Sequence, residues 1–348
     1  MGAPTLRSLA RTLGISRTTI SEALRHSPRV HPETAEKIRA AAEAAGYHRN
    51  PLAGAIMSEL RRSRGDIFRG VLAVITLDEP DRPAYAKSFH AALFQGVHDR
   101  AVELGFRTER FEAGGRTLSL ARLNRILQSR GIRGVVLLPA WRSPDLLQLD
   151  WKNYSGVYLD YHIDRPVLHC VCSDHFQSMM NALQRLRELG YRRPGVVLPR
   201  QHDERLSHRW EGAFLGFQQH YGSSDPVPPY VTDAPEQRGF TRWFREQQPD
   251  VVLSHLVHVM DWMRAAGAEL PRTHGFFCLN LVHATEPCAG LDLTPRLIGA
   301  KGAELLIAQL YRNERGSPSH RSLTTLASTW VDGPTVRPQT PRRAKSAV

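Results

Sequence analysis

Small, polar and basic side chains recur from Leu9 to Leu24 at the spacing of two short helices joined by a tight turn. Gly14 breaks the first helix, and Ser16 has the side chain of an N-cap for the second. Ala10 is small enough for the two helices to cross closely. The start of the second helix carries side chains that hydrogen-bond to base edges and phosphates, namely Arg17, Thr18 and Ser21. This pattern predicts a helix-turn-helix that binds duplex DNA, with an ordinary helical hairpin as the alternative.

Positive charge is concentrated at the two ends of the chain. Of the formal net charge of +12, residues 1–65 contribute an excess of six basic side chains, and the residues after Asp332 contribute four more. A basic N-terminal segment favours nucleic-acid binding by the helix pair. We expect the basic tail, residues 334–348, to be a solvated disordered end, with nonspecific contact to DNA as the alternative.

The sequence offers no motif for covalent chemistry. It contains no G-x-S-x-G elbow, no P-loop, no H-E-x-x-H and no G-x-G-x-x-G fingerprint. Its four cysteines do not make a disulfide framework, and His255 and His258 have no further ligand nearby at zinc spacing. We therefore expect no enzyme activity, no cofactor and no metal.

Beyond the basic N-terminal segment, short apolar runs alternate with amphipathic helices. This alternation is typical of parallel sheets covered by helices on both faces, and the chain is long enough for two such sheets. The predicted strands are Val71–Leu77, Gly134–Leu138, Gly156–Tyr161, Val167–Cys172, Gly195–Leu198, Val251–Ser254, Gly275–Leu279 and Thr325–Val331. The predicted helices include Ser88–Leu104, Phe176–Leu189, Arg209–His220 and Pro295–Arg312. A ligand is expected in a crevice beyond the carboxyl ends of the strands.

Residues Thr5–Leu60 closely resemble the N-terminus of the lactose-repressor (LacI/GalR) family of bacterial transcription regulators. The segment TLRSLARTLGISRTTISEALRHSPRVHPETAEKIRAAAEAAGYHRNPLAGAIM carries the resemblance. A looser similarity continues to Gly333, where the strands and helices look like periplasmic sugar-binding proteins. The resemblance implies an α-helical helix-turn-helix headpiece (1–49), a hinge helix and linker (50–65), and a two-lobed α/β effector-binding and dimerisation domain (66–333).

The resemblance also implies a function. It predicts a cytoplasmic homodimer that binds a near-palindromic DNA operator, acts as a repressor and is controlled allosterically by a small molecule, a sugar or a sugar derivative. Two alternatives stay open. One is a small-molecule binding module whose DNA contact is vestigial, and the other is an architectural DNA binder whose second domain only dimerises.

By the same resemblance, the base-reading positions of the second helix are Arg17, Thr18 and Glu22. A guanidinium can bond both O6 and N7 of guanine, and a threonine offers a hydroxyl and a methyl group. Glu22 departs from the family, which usually has arginine there. Its carboxylate would repel phosphates unless it accepts a bond from a cytosine amine or is neutralised by Arg25, and both alternatives remain open. The expected phosphate contacts are Ser16, Ser21, Arg29 and Asn50.

The segment NPLAGAIM resembles the hinge helix of the family, whose apolar side chain inserts into the minor groove. Ile56 falls at that position, with Met57 beside it. Packing of these two side chains against the effector domain is the alternative. Gly54 weakens so short a helix, which we expect to form only against a partner.

Four residues are candidates for effector binding. Asp174 and Arg209 fall where the family binds sugar hydroxyl groups, and their charges suit hydrogen bonds that orient a ligand. Helix capping by Asp174 and stacking of Arg209 beside Trp210 are the alternatives. Trp141 and Tyr85 lie in loops after predicted strands, where an aromatic ring stacks on a sugar or packs within a lid.

Overall fold

The computed structural model describes residues 6–24, 30–45, 68–83, 86–115, 118–142, 145–222 and 225–338. The chain divides into two compact units, with the boundary along the chain between Arg69 and Gly70. The finer boundaries expected at residues 49 and 65 stay predictions. The disordered tail expected from residue 334 is wrong for its first residues, because Thr335 is buried and its Oγ1 donates a hydrogen bond to the carbonyl oxygen of Phe276 at 2.7 Å.

The first unit contains the three helices expected from the sequence: α1 (Leu6–Leu13), α2 (Arg17–Ala23) and α3 (Pro32–Ala44). Gly14, in the turn between α1 and α2, has a φ of 64°, a left-handed conformation that glycine adopts without strain. Apolar side chains from all three helices pack into one small core, made of Leu9, Ile20, Ala23, Val30, Ala35, Ile38 and Ala42. The predicted helix-turn-helix architecture is confirmed.

The second unit is built on two six-stranded sheets, one in each of two lobes. The first sheet contains β1 (Gly70–Leu77), β2 (Phe106–Ala113), β3 (Gly134–Leu137), β4 (Ser155–Tyr158), β5 (His169–Ser173) and β11 (Leu323–Leu326). The second contains β6 (Pro194–Pro199), β7 (Tyr230–Thr232), β8 (Val251–Ser254), β9 (Gly275–Cys278), β10 (Ala289–Asp292) and β12 (Thr329–Val331). Their strand orders are β11-β5-β4-β3-β1-β2 and β12-β10-β9-β8-β6-β7, and all pairs are parallel except β10 with β12.

Helices connect most of the strands. They are α4 (Ala86–Glu103), α5 (Leu120–Ser129), α6 (His175–Glu188), α7 (Arg200–Arg205), α8 (Arg209–Tyr221), α9 (Gln237–Gln247), α10 (Val259–Ala265) and α11 (Pro295–Arg312). Two short 3-10 helices, Trp151–Asn153 and Leu281–His283, follow strands or precede them. Within the described ranges, no helix combines the length and apolar character that a membrane span requires.

The chain passes between the two lobes three times, after β5, after β10 and after β11. The last passage corrects one prediction. Thr325–Val331 was expected to be a single strand, but β11 ends at Leu326 in the first sheet and β12 begins at Thr329 in the second. The two residues between them carry the chain from one lobe to the other, and no glycine or proline marks so short a crossing in the sequence.

Two helices of the first lobe approach each other closely through glycine. A Cβ atom built on Gly96 in α4 would lie 1.9 Å from the carbonyl oxygen of Arg296 in α11. A Cβ atom on Gly299 in α11 would likewise lie 2.1 Å from the carbonyl oxygen of Leu93. Only residues without a side chain permit this separation. The contact packs the middle of α4 against α11, and the first turns of α4 lie beside the cleft described below.

Candidate functional site

The first candidate site is the exposed side of α2. Ser16 caps this helix, since its Oγ accepts a hydrogen bond from the backbone N–H of Thr19 at 3.1 Å. The hydroxyl of Thr19 lies 2.9 Å from the same Oγ. Ile20 and Ala23 are fully buried in the core, whereas Thr18 is exposed. The helix therefore presents the side of Thr18 outward.

The structure describes only some of the other residues that are predicted to contact DNA. Glu22 lies in α2 and is half-buried. Arg17 and Ser21 belong to the same helix, but their side chains lie outside the described part of the structure. The following residues lie wholly outside it: Arg25, Arg29, Asn50, Ile56 and Met57, together with Tyr85 of the effector set. Their assigned roles stay predictions.

The second candidate site is a cleft between the two lobes of the second unit. Its walls are the segments that follow the carboxyl ends of β1, β3, β4 and β5 on one side and of β6, β8, β9 and β10 on the other. This is the position at which α/β sheets of this kind bind ligands. The polar side chains that line it are Arg82, His90, Asp160, Ser173, His175, His202, Arg205, His255, Asn280 and His283. The free space in it is about 60 Å³.

Side chains of the two lobes meet directly across this cleft. Arg205 of α7 donates a hydrogen bond from Nη1 to the carboxylate of Asp160, which follows β4. The Arg205 guanidinium also lies 5.7 Å from the centroid of the Trp141 indole, and His202 packs edge-on to the same ring at 5.8 Å. Burial raises the pKa of the Asp160 carboxyl, and the charge of Arg205 acts in the opposite direction. The lobes are therefore closed on each other.

Five histidines line the cleft, and burial keeps most of them neutral. Burial lowers the pKa of His90, His175 and His255 to about 3, and the positive charge of Arg205 lowers all three further. Burial also lowers the pKa of His202 well below its usual value, and the ring of His202 lies 4.1 Å from that of His255 between centroids. At neutral pH these imidazoles carry no charge, although positive charge surrounds them.

A hydrogen-bond network behind the cleft joins two of the passages between the lobes. Tyr161 Oη donates to the carbonyl oxygen of Ser173 and accepts a bond from the backbone N–H of His175 at 2.9 Å. Ser173 Oγ in turn donates to the carbonyl oxygen of Leu293 at 3.1 Å. The guanidinium of Arg209 lies 4.2 Å above the Tyr161 ring. These contacts tie the passage between the lobes that follows β5 to the passage that follows β10.

The predicted effector residues fall in different places. Trp141 lines the cleft. Asp174 caps α6, since its Oδ1 accepts from the backbone N–H of Gln177 at 3.0 Å, and neither Asp174 nor Arg209 is among the described residues that line the cleft. Arg209 stacks on Tyr161 and not on its neighbour Trp210. An effector role for Asp174 and Arg209 stays a prediction. The contacts that these two residues make, helix capping and stacking on an aromatic ring, are of the kinds named above as alternatives to effector binding.

The sequence analysis did not single out most of the polar residues of the cleft. Arg82, Arg205 and the five histidines come from segments between residues 82 and 283, so no local spacing links them. One signal was available, because His255 directly follows β8 at the edge where ligands bind. The chain also contains sixteen histidines, and five of them meet in this cleft.

Comparison with protein families places both parts of the chain. The model described as bacterial regulatory proteins, lacI family, matches residues 5–50, and the model of a periplasmic binding protein-like domain matches residues 183–335. The N-terminal segment of the chain is thus similar to the lacI family. The helix-turn-helix unit is similar to the DNA-binding domain of bacterial regulators, and the second unit, from residue 183 onward, is similar to periplasmic binding protein-like domains.

Individual relatives agree with this assignment. The HTH-type transcriptional regulator CelR of Thermobifida fusca is 28% identical over 197 residues, which are 56% of this chain and 55% of CelR. The match thus spans only about half the length of that relative.

Solved structures share the fold at lower identity. A CelR–cellobiose complex has a TM-score of 0.58 at 22% identity, covering 95% of this chain and 99% of that one. A LacI-family regulator from Rhizobium etli has a TM-score of 0.60 at 16% identity, covering 77% and 99%. The lac repressor dimer bound to operator and the anti-inducer ONPF has a TM-score of 0.53 at 15% identity, covering 96% and 99%.

Proposed function

We propose that this chain is a cytoplasmic, sequence-specific repressor of the LacI family that binds a near-palindromic operator as a homodimer. The observation that carries the proposal is the capped helix α2, whose first turn presents Thr18 to solvent while Ile20 and Ala23 are buried. In helix-turn-helix proteins the N-terminal residues of this second helix contact base edges in the major groove. A twofold dimer presents two such helices, so the operator has two related half-sites.

The second unit is proposed to bind a small-molecule effector, a sugar or a sugar derivative, in the cleft between its lobes. Three features support this role: the position of the cleft at the carboxyl ends of the strands, the three chain passages that join the lobes, and the CelR–cellobiose structure with the same fold. The ligand would change the angle between the lobes and thereby the separation of the two headpieces in the dimer. Such coupling typically amounts to about 1–3 kcal/mol, or 5- to 150-fold in operator affinity.

Footprinting with the full chain, on DNA selected from a randomised library, tests DNA recognition. We expect protection of two half-sites with centres about 10 base pairs apart, or a multiple of that spacing. The logarithm of the affinity should fall with the logarithm of salt concentration by about 0.9 for each phosphate neutralised.

A matched pair of variants refines this test. Thr18→Ala should relax base preference within each half-site by about 1–3 kcal/mol, because a base contact is lost. Thr12→Ala removes an exposed threonine from α1 of the same headpiece and should leave the preference unchanged. Protection that is independent of base sequence would contradict the proposed function.

A further inference from the structure

Among the side chains that line the cleft, cationic groups outnumber anionic ones. Two arginines line it, against one carboxylate, Asp160, in the part of the chain that the structure describes, and the buried histidines are neutral. That carboxylate already has protein partners, since Oδ1 accepts from the backbone N–H of Tyr161 at 2.9 Å and Oδ2 accepts from Arg205. A neutral sugar donates hydrogen bonds through many hydroxyl groups, and carboxylates are the strongest acceptors for them. Each oxygen of Asp160 thus already accepts one hydrogen bond from the protein.

Other acceptors near the cleft are also engaged. Asn280 Oδ1 accepts from the backbone N–H of Val282 at 3.3 Å. Glu79, which lies beside the cleft, accepts from the backbone N–H of Trp141 at 2.8 Å, from that of Arg142 at 3.0 Å and from the Arg82 guanidinium at 2.6 Å. A ligand entering the cleft therefore finds these acceptors already used by the protein.

By contrast, some buried hydrogen-bond donors of the cleft have no acceptor. Arg82 bonds to Leu77 and Glu79 through Nη2, and Arg205 bonds to Asp160 through Nη1. The Nε atoms of both arginines are buried donors without a hydrogen-bond partner among the described residues, and Nδ1 of His90, which donates in one tautomer and accepts in the other, is likewise without one. A buried donor without an acceptor costs free energy, so an acceptor supplied by a ligand is bound favourably. An anionic oxygen gives a hydrogen bond roughly twice as strong as a neutral one.

The electrostatic field in the cleft has the same sign. Arg82 and Arg205 lower the pKa of His90, in addition to the larger effect of burial, because their charges oppose a second positive charge nearby. Arg205 does the same to His175 and His255. A field that disfavours an imidazolium favours an anion at the same place.

We infer that the effector of this regulator is an anionic polyol, a sugar acid or a sugar phosphate, whose charged group binds Arg82, Arg205 and His90 in the cleft. The inference rests on the proposed function, because it names the chemical class of the effector. Carboxylate and phosphate share the required chemistry, and the experiment distinguishes them.

Isothermal titration calorimetry on the full chain at constant ionic strength is the test. The probes are glucuronate and gluconate for the carboxylate class and glucose 6-phosphate for the phosphate class, with glucose and cellobiose as neutral comparators. We expect at least one anionic probe to bind about tenfold or more tightly than both neutral sugars. The tighter of the two anionic classes identifies the natural group.

Charge-neutralising variants locate the binding. Arg82→Gln should weaken the anionic probe by about tenfold or more and change the affinity for a neutral sugar by less than about threefold. Arg125→Gln removes an equivalent charge from the exposed side of α5 and should change neither. His90→Gln serves as a second variant if Arg82→Gln does not fold, and it should also weaken the anionic probe.

Two results would overturn the inference: a neutral sugar that binds as tightly as its anionic counterpart, or an absence of binding by all anionic probes. Operator protection measured on the same preparation keeps the two proposals apart. A chain that protects a defined operator but prefers cellobiose retains the proposed function and loses only the anionic effector.

Discussion

Glu22 places a carboxylate on the helix that we propose enters the major groove. A negative charge facing the DNA is unfavourable unless it accepts a hydrogen bond from a base or is neutralised by a nearby cation. The half-buried position of Glu22 in α2 is compatible with either arrangement. The two can be distinguished by operator preference, because only a base contact changes the order in which sequences are bound.

Glu22→Arg should therefore change the ranking of operators recovered from a randomised library. A base contact contributes about 1–3 kcal/mol of discrimination, which is enough to exchange the preferred base at one position. Glu36→Arg makes the same charge change on the exposed side of α3 and should raise affinity for all sequences alike. An identical ranking for wild type and both variants would mean that Glu22 reads no base.

The site residues differ in how far the sequence could reveal them. The residues of α2 are neighbours along the chain, so a local pattern of cap, turn and polar positions predicted them. The cleft residues are joined only by the fold, which brings His90, His175 and His255 together from three segments. A buried polar residue after a strand has no distinctive local pattern, and therefore the anionic character of the cleft ligand could be inferred only from the structure.

At the scale of elements, the close packing of α4 against α11 depends on two glycines. A side chain on Gly96 would meet the backbone of Arg296, which cannot move aside as a flexible side chain can. The two helices would have to separate, and the buried contacts around Leu93 would loosen. Overpacking of this kind costs about 1–3 kcal/mol.

Gly96→Ala should thus lower the free energy of unfolding of the second unit by about 1–3 kcal/mol in urea titrations. All six tryptophans lie beyond Gly70, so their fluorescence follows this unit. Gly212→Ala in α8 is the matched control, because its new methyl group meets no atom within 4 Å, and it should gain up to about 1 kcal/mol. Equal stability of the two variants would contradict the packing argument.

Strands with a nearly continuous apolar sequence could be predicted, whereas an edge strand with a mixed polar and apolar sequence could not. Val71–Leu77 and Val251–Ser254 are nearly continuous apolar runs, and the observed β1 and β8 coincide with them within a residue. β2 (Phe106–Ala113) was missed because it lies at a sheet edge and mixes charged with apolar residues. The change of sheet after Leu326 depends on contacts distant in sequence, which local propensity does not encode.

At the scale of the whole molecule, the neutral histidines of the cleft make stability depend on pH. His90, His175 and His255 have pKa values of about 3 in the folded chain, whereas an unfolded histidine has about 6.5. Their contribution to the free energy of unfolding is therefore complete above about pH 6.5 and is lost as pH falls towards 3. In this range the histidines bind protons in the unfolded chain but not in the folded chain. At pH 5 the loss is on the order of 2 kcal/mol for each histidine.

Urea unfolding followed by tryptophan fluorescence should show a clearly lower stability of the second unit at pH 5 than at pH 7. His255→Asn should reduce this difference by about one histidine's share, on the order of 2 kcal/mol. His220→Asn, at an exposed position of α8, should leave it unchanged. A stability that is the same at both pH values would show that the cleft histidines are protonated in the folded chain.

The three passages of the chain between the lobes have a consequence for how the second unit comes apart. A protease that nicks one of these connections leaves the halves tethered by the other two, so neither half is released as a fragment. Three connections also restrict sliding of one lobe past the other. Rotation about a hinge formed by these connections is then the easiest relative motion of the two lobes. A ligand bound between the lobes would therefore act chiefly on the angle between them.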